Sequence, residues 1–221
     1  MPMLSIVHTT FASVEPLNTV AQEALPGVYV MNIVDDDLVR YVQRVGVDAR
    51  LTRRLFYCFV SAVEAGADVI LSACSSVGEA VDVARRAISV PILKIDEPMA
   101  EEAVTRGHRI AVVATTKSTL DPTCRLLENK ARERQADIVI VRRLCEGAFD
   151  LLLAGKLEEH DRVVTDVTLE AAKSNDVVLF AQASMVRLVP TLQKQIDVPL
   201  MSSPRPAMSR LQQMLAARAG G

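Results

Sequence analysis

The chain contains four cysteines, and one of them stands where a thiol can do chemistry. Cys74 lies near the end of the run Asp68-Val-Ile-Leu-Ser-Ala-Cys-Ser-Ser76, which reads as a buried strand running into a turn. Directly behind it, Ser76-Val-Gly-Glu79 has capping-box spacing, and Ala80, Val81, Val83, Ala84 and Ile88 continue a helical stripe. A cysteine between a strand end and a helix start faces unpaired backbone N–H groups and the positive end of a helix dipole. Both favour thiolate over thiol, and both can bind a carboxylate. A small buried side chain at a strand end is the other reading. The neighbouring hydroxyls of Ser75 and Ser76 favour function, while Glu79 reads as a cap.

The remaining chemistry-bearing residues separate by context. Cys58 falls on the apolar side of a helical pattern and reads as core; Cys124 follows a helix start that could favour its thiolate, but with no counterpart in the repeat it reads as structural. Asp35, Asp36 and Asp37 are consecutive, whereas oxygen-ligand loops space their ligands; a solvated turn capping the next helix fits better than a metal site. His8 closes the first apolar run beside Thr9 and Thr10, and is open between an acid or base lining a pocket and a packed residue. His108 and His160 read as surface residues. Lys117 follows Thr115 and Thr116; it could neutralise a substrate carboxylate or be a solvated loop lysine.

These residues need elements to hold them. Short β-rich runs at Leu4–His8, Val28–Val34, Asp68–Ala73, Arg109–Thr115, Asp137–Arg142 and Asp176–Ala181 alternate with helical patterns, as expected for βαβ units around parallel sheets. Thr52–Ala65 reads as a helix with Leu55, Phe59, Ala62 and Val63 on one face and Gly66 as its stop. Another helix is expected to open at Ser118-Thr-Leu-Asp121-Pro122, with the proline in its first turn. The pattern also repeats. Asp68-Val-Ile-Leu-Ser-Ala-Cys-Ser-Ser76 lies over Asp176-Val-Val-Leu-Phe-Ala-Gln-Ala-Ser184 at an offset of 108 residues, and the same offset carries Val90-Pro91 onto Val198-Pro199 and Pro98 onto Pro206. Ile6-Val-His-Thr-Thr10 matches Val112-Val-Ala-Thr-Thr116 at 106. Two copies are too few for a solenoid, so a pseudo-twofold pair of α/β lobes is expected. Ligands then belong beyond the carboxyl ends of the strands, where two such ends can face each other across one cleft.

Composition narrows the partners. Of 221 residues, 50% are hydrophobic, so a sizeable core can be buried, and a net charge of −2 provides no field for phosphate backbones or anionic membranes. With no tryptophan, the usual stacking surface for bases is poor. No apolar run approaches the roughly 20 residues of a membrane span, the start Met1-Pro-Met-Leu4 carries no positive region of an export signal, and the cysteines show no CxxC pairing; a cytoplasmic protein with reduced thiols is expected.

The strand–turn–helix around Cys74, its second copy ending Ala181-Gln-Ala-Ser-Met185, and the twin Thr-Thr turns resemble the aspartate/glutamate/hydantoin racemase family over nearly the whole chain. The resemblance implies two pseudo-symmetric lobes, each offering one cysteine. The pair acts as thiolate base and thiol acid on opposite faces of a carbon next to a carboxylate, with no metal or organic cofactor. It assigns Cys74 as acid/base, and Thr9, Thr10, Ser75, Ser76, Thr115, Thr116 and Ser184 as holders of the substrate carboxylate. It also implies a small carboxylate or hydantoin-like substrate and a homo-oligomer, with no nucleic-acid or membrane partner. The chain departs from the pattern at the second cysteine, which falls on Gln182, an amide that can hydrogen-bond but cannot trade protons near neutral pH. Cys145, in Leu144-Cys-Glu-Gly147, could stand in for it or be core packing; the matching stretch of the first half is Val34-Asp-Asp-Asp37.

The expected fold is therefore α/β, two parallel-sheet lobes with the active site in the cleft between them: residues 1–98 plus 207–221, and residues 99–206. The expected function is cofactor-independent proton transfer alpha to a carboxylate or carbonyl, with Gln182 orienting substrate or stabilising charge. The alternatives are a single-cysteine decarboxylase, lyase or hydrolase, and a non-catalytic small-molecule-binding relative.

Overall fold

The computed structural model describes residues 1–219, apart from the side chains of residues 183, 184 and 219. In chain order the elements of the first unit are β1 (Met3–His8), α1 (Val14–Ala24), β2 (Tyr29–Val34), α2 (Leu38–Val45), α3 (Ala49–Glu64), β3 (Val69–Ser72), α4 (Gly78–Ala84) and β4 (Ile92–Lys94). The second unit contains α5 (Glu97–Arg106), β5 (Arg109–Ala114), α6 (Lys117–Arg134), β6 (Val139–Leu144), α7 (Ala148–Leu153), α8 (Leu157–Ala172), β7 (Val177–Phe180), α9 (Val189–Leu192) and β8 (Leu200–Ser202). A last helix, α10 (Pro204–Ala219), returns to the first unit.

The two units are residues 1–95 with the chain from Pro204 onward, and residues 96–203. Both boundaries lie three residues before the expected 98/99 and 206/207. Pro98 lies inside the first turn of α5, and Pro206 likewise lies inside α10.

Each unit holds one four-stranded, all-parallel sheet, in the orders β2-β1-β3-β4 and β6-β5-β7-β8. The fold class is α/β, as expected. The pairings correspond: Leu4 faces Val69 as Ile110 faces Val177, and Ile70 faces Ile92 as Val178 faces Leu200. These registers follow the 106- and 108-residue offsets of the sequence. The strands β4 and β8 were not expected from sequence. Three residues are too few to show a period, but the Val90-Pro91 and Val198-Pro199 landmarks directly precede them.

Alternation along the central strands divides each core in two. In the first unit Leu4, Ile6, Val69 and Leu71 pack with Leu17 of α1 and Met208 and Leu211 of α10. Val7 and Ile70 face the other way, onto Leu55 and Phe59 of α3 and Val81 of α4. Fully burying each such side chain contributes about 1.5–3 kcal/mol, which fixes which face of each helix turns inward.

Local capping corrects several sequence expectations. The helix expected at Thr52–Ala65 starts earlier, at Ala49, because the Asp48 carboxylate accepts the Leu51 N–H at 2.8 Å. It stops as expected before Gly66, whose φ of +90° suits a residue without a side chain. The α6 helix begins one residue before Ser118, with Thr116 in the N-cap place, and Pro122 lies beyond its first turn. Ser76 is not the cap of α4: a 3₁₀ turn over Ser75–Val77 comes first, with Cys74 in the N-cap place. His160 is buried rather than on the surface, because it shares the inward face of α8 with Val164, Thr168 and Ala171. Among the described residues no helix is long and apolar enough to cross a membrane.

Asp68 and Asp176 anchor the strand beginnings. Asp68 accepts the Met3 N–H at 2.8 Å, and Asp176 accepts those of His108 and Arg109 at 2.9 and 2.7 Å. Gly107 permits the second arrangement, since a Cβ there would stand 2.4 Å from the Asp176 Cβ and 3.2 Å from a Val177 methyl. Gly107→Ala is expected to cost about 1–3 kcal/mol of stability through overpacking, read from the denaturant midpoint; an unshifted midpoint would contradict this anchoring.

Candidate active site

The carboxyl ends of adjacent parallel strands place the candidate residues in two groups, one per unit. In the first unit β1 and β3 are neighbours, with Val7 facing Ser72, and the Ala73 N–H continues the ladder onto the Val7 carbonyl at 3.0 Å. The turn carrying His8, Thr9 and Thr10 therefore runs beside the turn carrying Cys74, Ser75 and Ser76. Thr9 is buried, and Thr10 caps the short turn Phe11–Ser13. Cys74 is half-buried, packs on one side against the α3–α4 core, and has extended backbone before the Ser75–Val77 turn.

Of the other three thiols, Cys58 is half-buried and Cys124 and Cys145 are buried. Cys58 in α3 and Cys124 in α6 are pushed up to about 11, mainly by burial. Cys145 is fully buried among Ala111, Val113, Ala148 and Phe180, and burial pushes its thiol up to about 12. Of its two sequence readings the core packing is what is observed; its backbone N–H simply extends the ladder to the Ala114 carbonyl at 2.8 Å.

His8 is fully buried and both ring nitrogens are engaged. Nδ1 lies 2.8 Å from the Ser13 hydroxyl and Nε2 lies 2.8 Å from Asn32 Oδ1. The Asn32 amide group donates to Asn18 Oδ1 at 3.0 Å, so its oxygen faces His8 and Nε2 must be the donor. Burial lowers the His8 pKa, against the opposing Asn32 bond. The same Ser13 hydroxyl is 3.0 Å from the Thr10 carbonyl. His8 thus braces the Thr9–Thr10 turn and has no free nitrogen for proton transfer. Sequence reading missed Ser13, Asn18 and Asn32; a lone asparagine in the strand Tyr-Val-Met-Asn-Ile-Val was the available signal.

The second unit repeats the arrangement with other side chains. β5 lies beside β7, and the Ala181 N–H reaches the Val113 carbonyl at 3.0 Å. Gln182 occupies the place of Cys74, ahead of the turn Ala183–Leu188, and its Oε1 accepts the Thr115 N–H at 2.6 Å and the Thr115 hydroxyl at 3.0 Å. Thr116 Oγ1 lies 3.2 and 3.0 Å from the Ser118 and Thr119 hydroxyls. Lys117 is exposed at the start of α6. The side chain of Ser184 lies outside the described residues.

Two further features bear on cations. Asp37 does not cap α2 with its side chain; Asp35 and Asp37 both bind Arg54 of α3, at 2.5 and 2.8 Å, which offsets part of the negative charge of the turn. Lys94, at the end of β4 beside Ser72, is buried and paired with Asp82 at 2.8 Å. Among the described residues no three His, Cys, Asp or Glu side chains stand close enough to hold a metal ion.

The Asp/Glu/Hydantoin racemase family model matches residues 6–211. Among curated proteins none matches the sequence. Solved structures with similar folds include an allantoin racemase from Klebsiella pneumoniae, with a TM-score of 0.75 and 15% identity over 99% of this chain and 89% of that one. A glutamate racemase from Francisella tularensis in complex with D-glutamate gives a TM-score of 0.76 and 13% identity over 99% and 82%. An arylmalonate decarboxylase gives 0.62 and 16% over 97% and 92%.

Two outcomes follow from the burial of these groups. Limited alkylation followed by peptide mapping should label Cys74 first, since the thiolate is the reactive species and burial suppresses it at the other three; earlier labelling of Cys58, Cys124 or Cys145 would contradict the assignment. For His8 the unfolded chain takes up a proton near the ordinary value of 6.5, before the folded protein does, so stability should fall as pH drops below that value. Thermal melts should show this loss reduced in His8→Gln, and an equal loss in both proteins would contradict it.

Proposed function

The chain belongs to the Asp/Glu/hydantoin racemase family, and from that premise we propose that it is a cofactor-independent enzyme in which Cys74 transfers a proton at the carbon alpha to a carboxylate or carbonyl. The substrate is a small amino-acid-like or hydantoin-like molecule, and the protein a cytoplasmic homo-oligomer with no nucleic-acid or membrane partner. The observation that carries this reading is where the four thiols lie: Cys74 stands half-buried at a strand end, whereas the half-buried Cys58 and the buried Cys124 lie within helices and Cys145 is in the core.

The chemistry requires little else. A hydrogen alpha to a carboxylate is a very weak acid, so the developing enolate must be stabilised by hydrogen-bond donors while the thiolate takes the proton. Thr9, Thr10, Ser75 and Ser76 stand at the strand ends of the first unit as such donors, with Thr115, Thr116 and Ser184 as their counterparts in sequence. His8 acts indirectly, by bracing the Thr9–Thr10 turn. Lys117 is too exposed and solvated to be assigned a specific contact.

Gln182 decides the stereochemistry. The family's second cysteine would deliver a proton to the opposite face, and neither Gln182 nor the buried Cys145 can do so. A single acid/base removes and returns the proton on one face, which supports a second reading as well. In a decarboxylase the carbon–carbon bond breaks to release carbon dioxide, the enolate takes its proton from the Cys74 thiol, and solvent reprotonates the thiolate. One thiol suffices, and a prochiral acid gives one product enantiomer.

The test is stereochemical. In deuterated water, with glutamate, aspartate and allantoin as trial substrates, exchange of the alpha hydrogen should outrun racemisation by about a hundredfold, the contribution of one positioned acid. With an alpha-methyl-alpha-phenylmalonate, whose decarboxylation creates a stereocentre, product of a single hand is expected. Gln182→Cys should raise inversion relative to exchange. Equal rates of inversion and exchange in the unmodified protein would reveal a second acid and overturn the one-thiol account.

A further inference from the structure

We propose that Gln182 is a fixed hydrogen-bond donor for an anionic or carbonyl oxygen of the substrate, held in that orientation by Thr115. The proposal rests on the reading of the strand ends as the substrate site and specifies what this one recognises.

A carboxamide presents an acceptor at one end and two donors at the other, and its orientation decides which face a ligand meets. Here the orientation is determined by chemistry. The Thr115 backbone N–H can only donate, and at 2.6 Å it requires the Gln182 oxygen opposite it. The Thr115 hydroxyl donates to the same oxygen at 3.0 Å. Thr115 is itself buried, at 5% exposure, so this clamp is shielded from water. With the oxygen doubly occupied, Nε2 carries two N–H donors that have no partner among the described residues. Gln182 is not fully buried, and these donors are available at the carboxyl end of β7.

The consequence is selectivity by charge and by hydrogen-bond sense. A donor pair accepts a carboxylate, an enolate oxygen or an imide carbonyl, and repels a protonated amine. Gln182 engages both the Thr115 N–H and the Thr115 hydroxyl through its own oxygen. Glutamine in place of the family's second cysteine converts an acid/base position into an oxyanion-binding one. Thr115 is a positioning residue in this scheme, and Gln182 the residue that touches substrate.

Calorimetric titration with D-glutamate, allantoin and phenylmalonate, combined with NMR of the Gln182 side-chain amide, tests the assignment. At least one probe should bind and shift the Gln182 N–H signals, which are identified by their absence in Gln182→Met. Gln182→Glu keeps an oxygen toward Thr115 but replaces the donors by negative charge, and should weaken binding about ten- to hundredfold, the worth of a hydrogen bond to a charged group. Gln182→Met should weaken it with the fold intact by circular dichroism. Thr115→Val should cost less than Gln182→Glu, and Thr115→Ser should restore what it loses. Unchanged affinity in Gln182→Glu, or no probe moving the Gln182 signals, would overturn the proposal. Cys74→Ala separates the two readings. If it retains exchange while Gln182→Glu loses binding, the proton-transfer reading fails and the donor assignment stands.

Discussion

In each unit a buried parallel ladder joins the two central strands, and every candidate residue depends on it. Because β1 and β3 run the same way in fixed register, their carboxyl ends finish level, with Val7 facing Ser72 and the next N–H continuing the pairing. Side chains distant in sequence, at Thr9 and Cys74, are thereby brought to neighbouring turns. The same holds for Thr115 and Gln182 after β5 and β7. The ladder is stable because both faces of these strands are covered, so slipping by one residue would exchange Leu4 and Ile6 for Ser5 and Val7 on each face. The Asp68 and Asp176 carboxylates hold the opposite ends of the sheets, leaving the carboxyl ends free to vary.

Variation at those ends distinguishes the units. The backbone positions correspond, but Cys74 answers to Gln182, His8 to Ala114, Asp35 to Cys145 and Lys94 to Ser202. Each polar member in the first unit has a matched partner: His8 has Ser13 and Asn32, Asp35 has Arg54, and Lys94 has Asp82. In the second unit Cys145 needs none, because it packs among apolar side chains. A shared scaffold thus supports an ionisable, braced strand end in one unit and an amide clamp in the other.

Much of this was legible in the sequence. The repeat offsets located the central strands and the turns after them, because buried parallel strands are continuous apolar runs and their turns carry small hydroxyl residues. The substitution of Gln182 for cysteine was visible directly. Short edge strands were not, since Ile92–Lys94 and Leu200–Ser202 are too brief to show a period and are set by pairing with β3 and β7. Side-chain partnerships were the least accessible. The clamp between Thr115 and Gln182 joins residues 67 positions apart, and Arg54 reaches Asp35 across 19. Such contacts depend on three-dimensional approach, and residue type alone left Asp35 as a solvated cap and His160 as a surface residue.

The central claim is that Cys74 is the acid/base. The most direct measurement is the rate at which Cys74→Ser, confirmed as folded, exchanges the alpha hydrogen of a substrate turned over by the unmodified protein, followed by proton NMR in deuterated water. A hydroxyl in place of the thiol keeps size and hydrogen bonding but cannot ionise near neutral pH. The account predicts that exchange falls by about 10²–10⁴-fold, the contribution of a positioned general base. Exchange at the unmodified rate would contradict it.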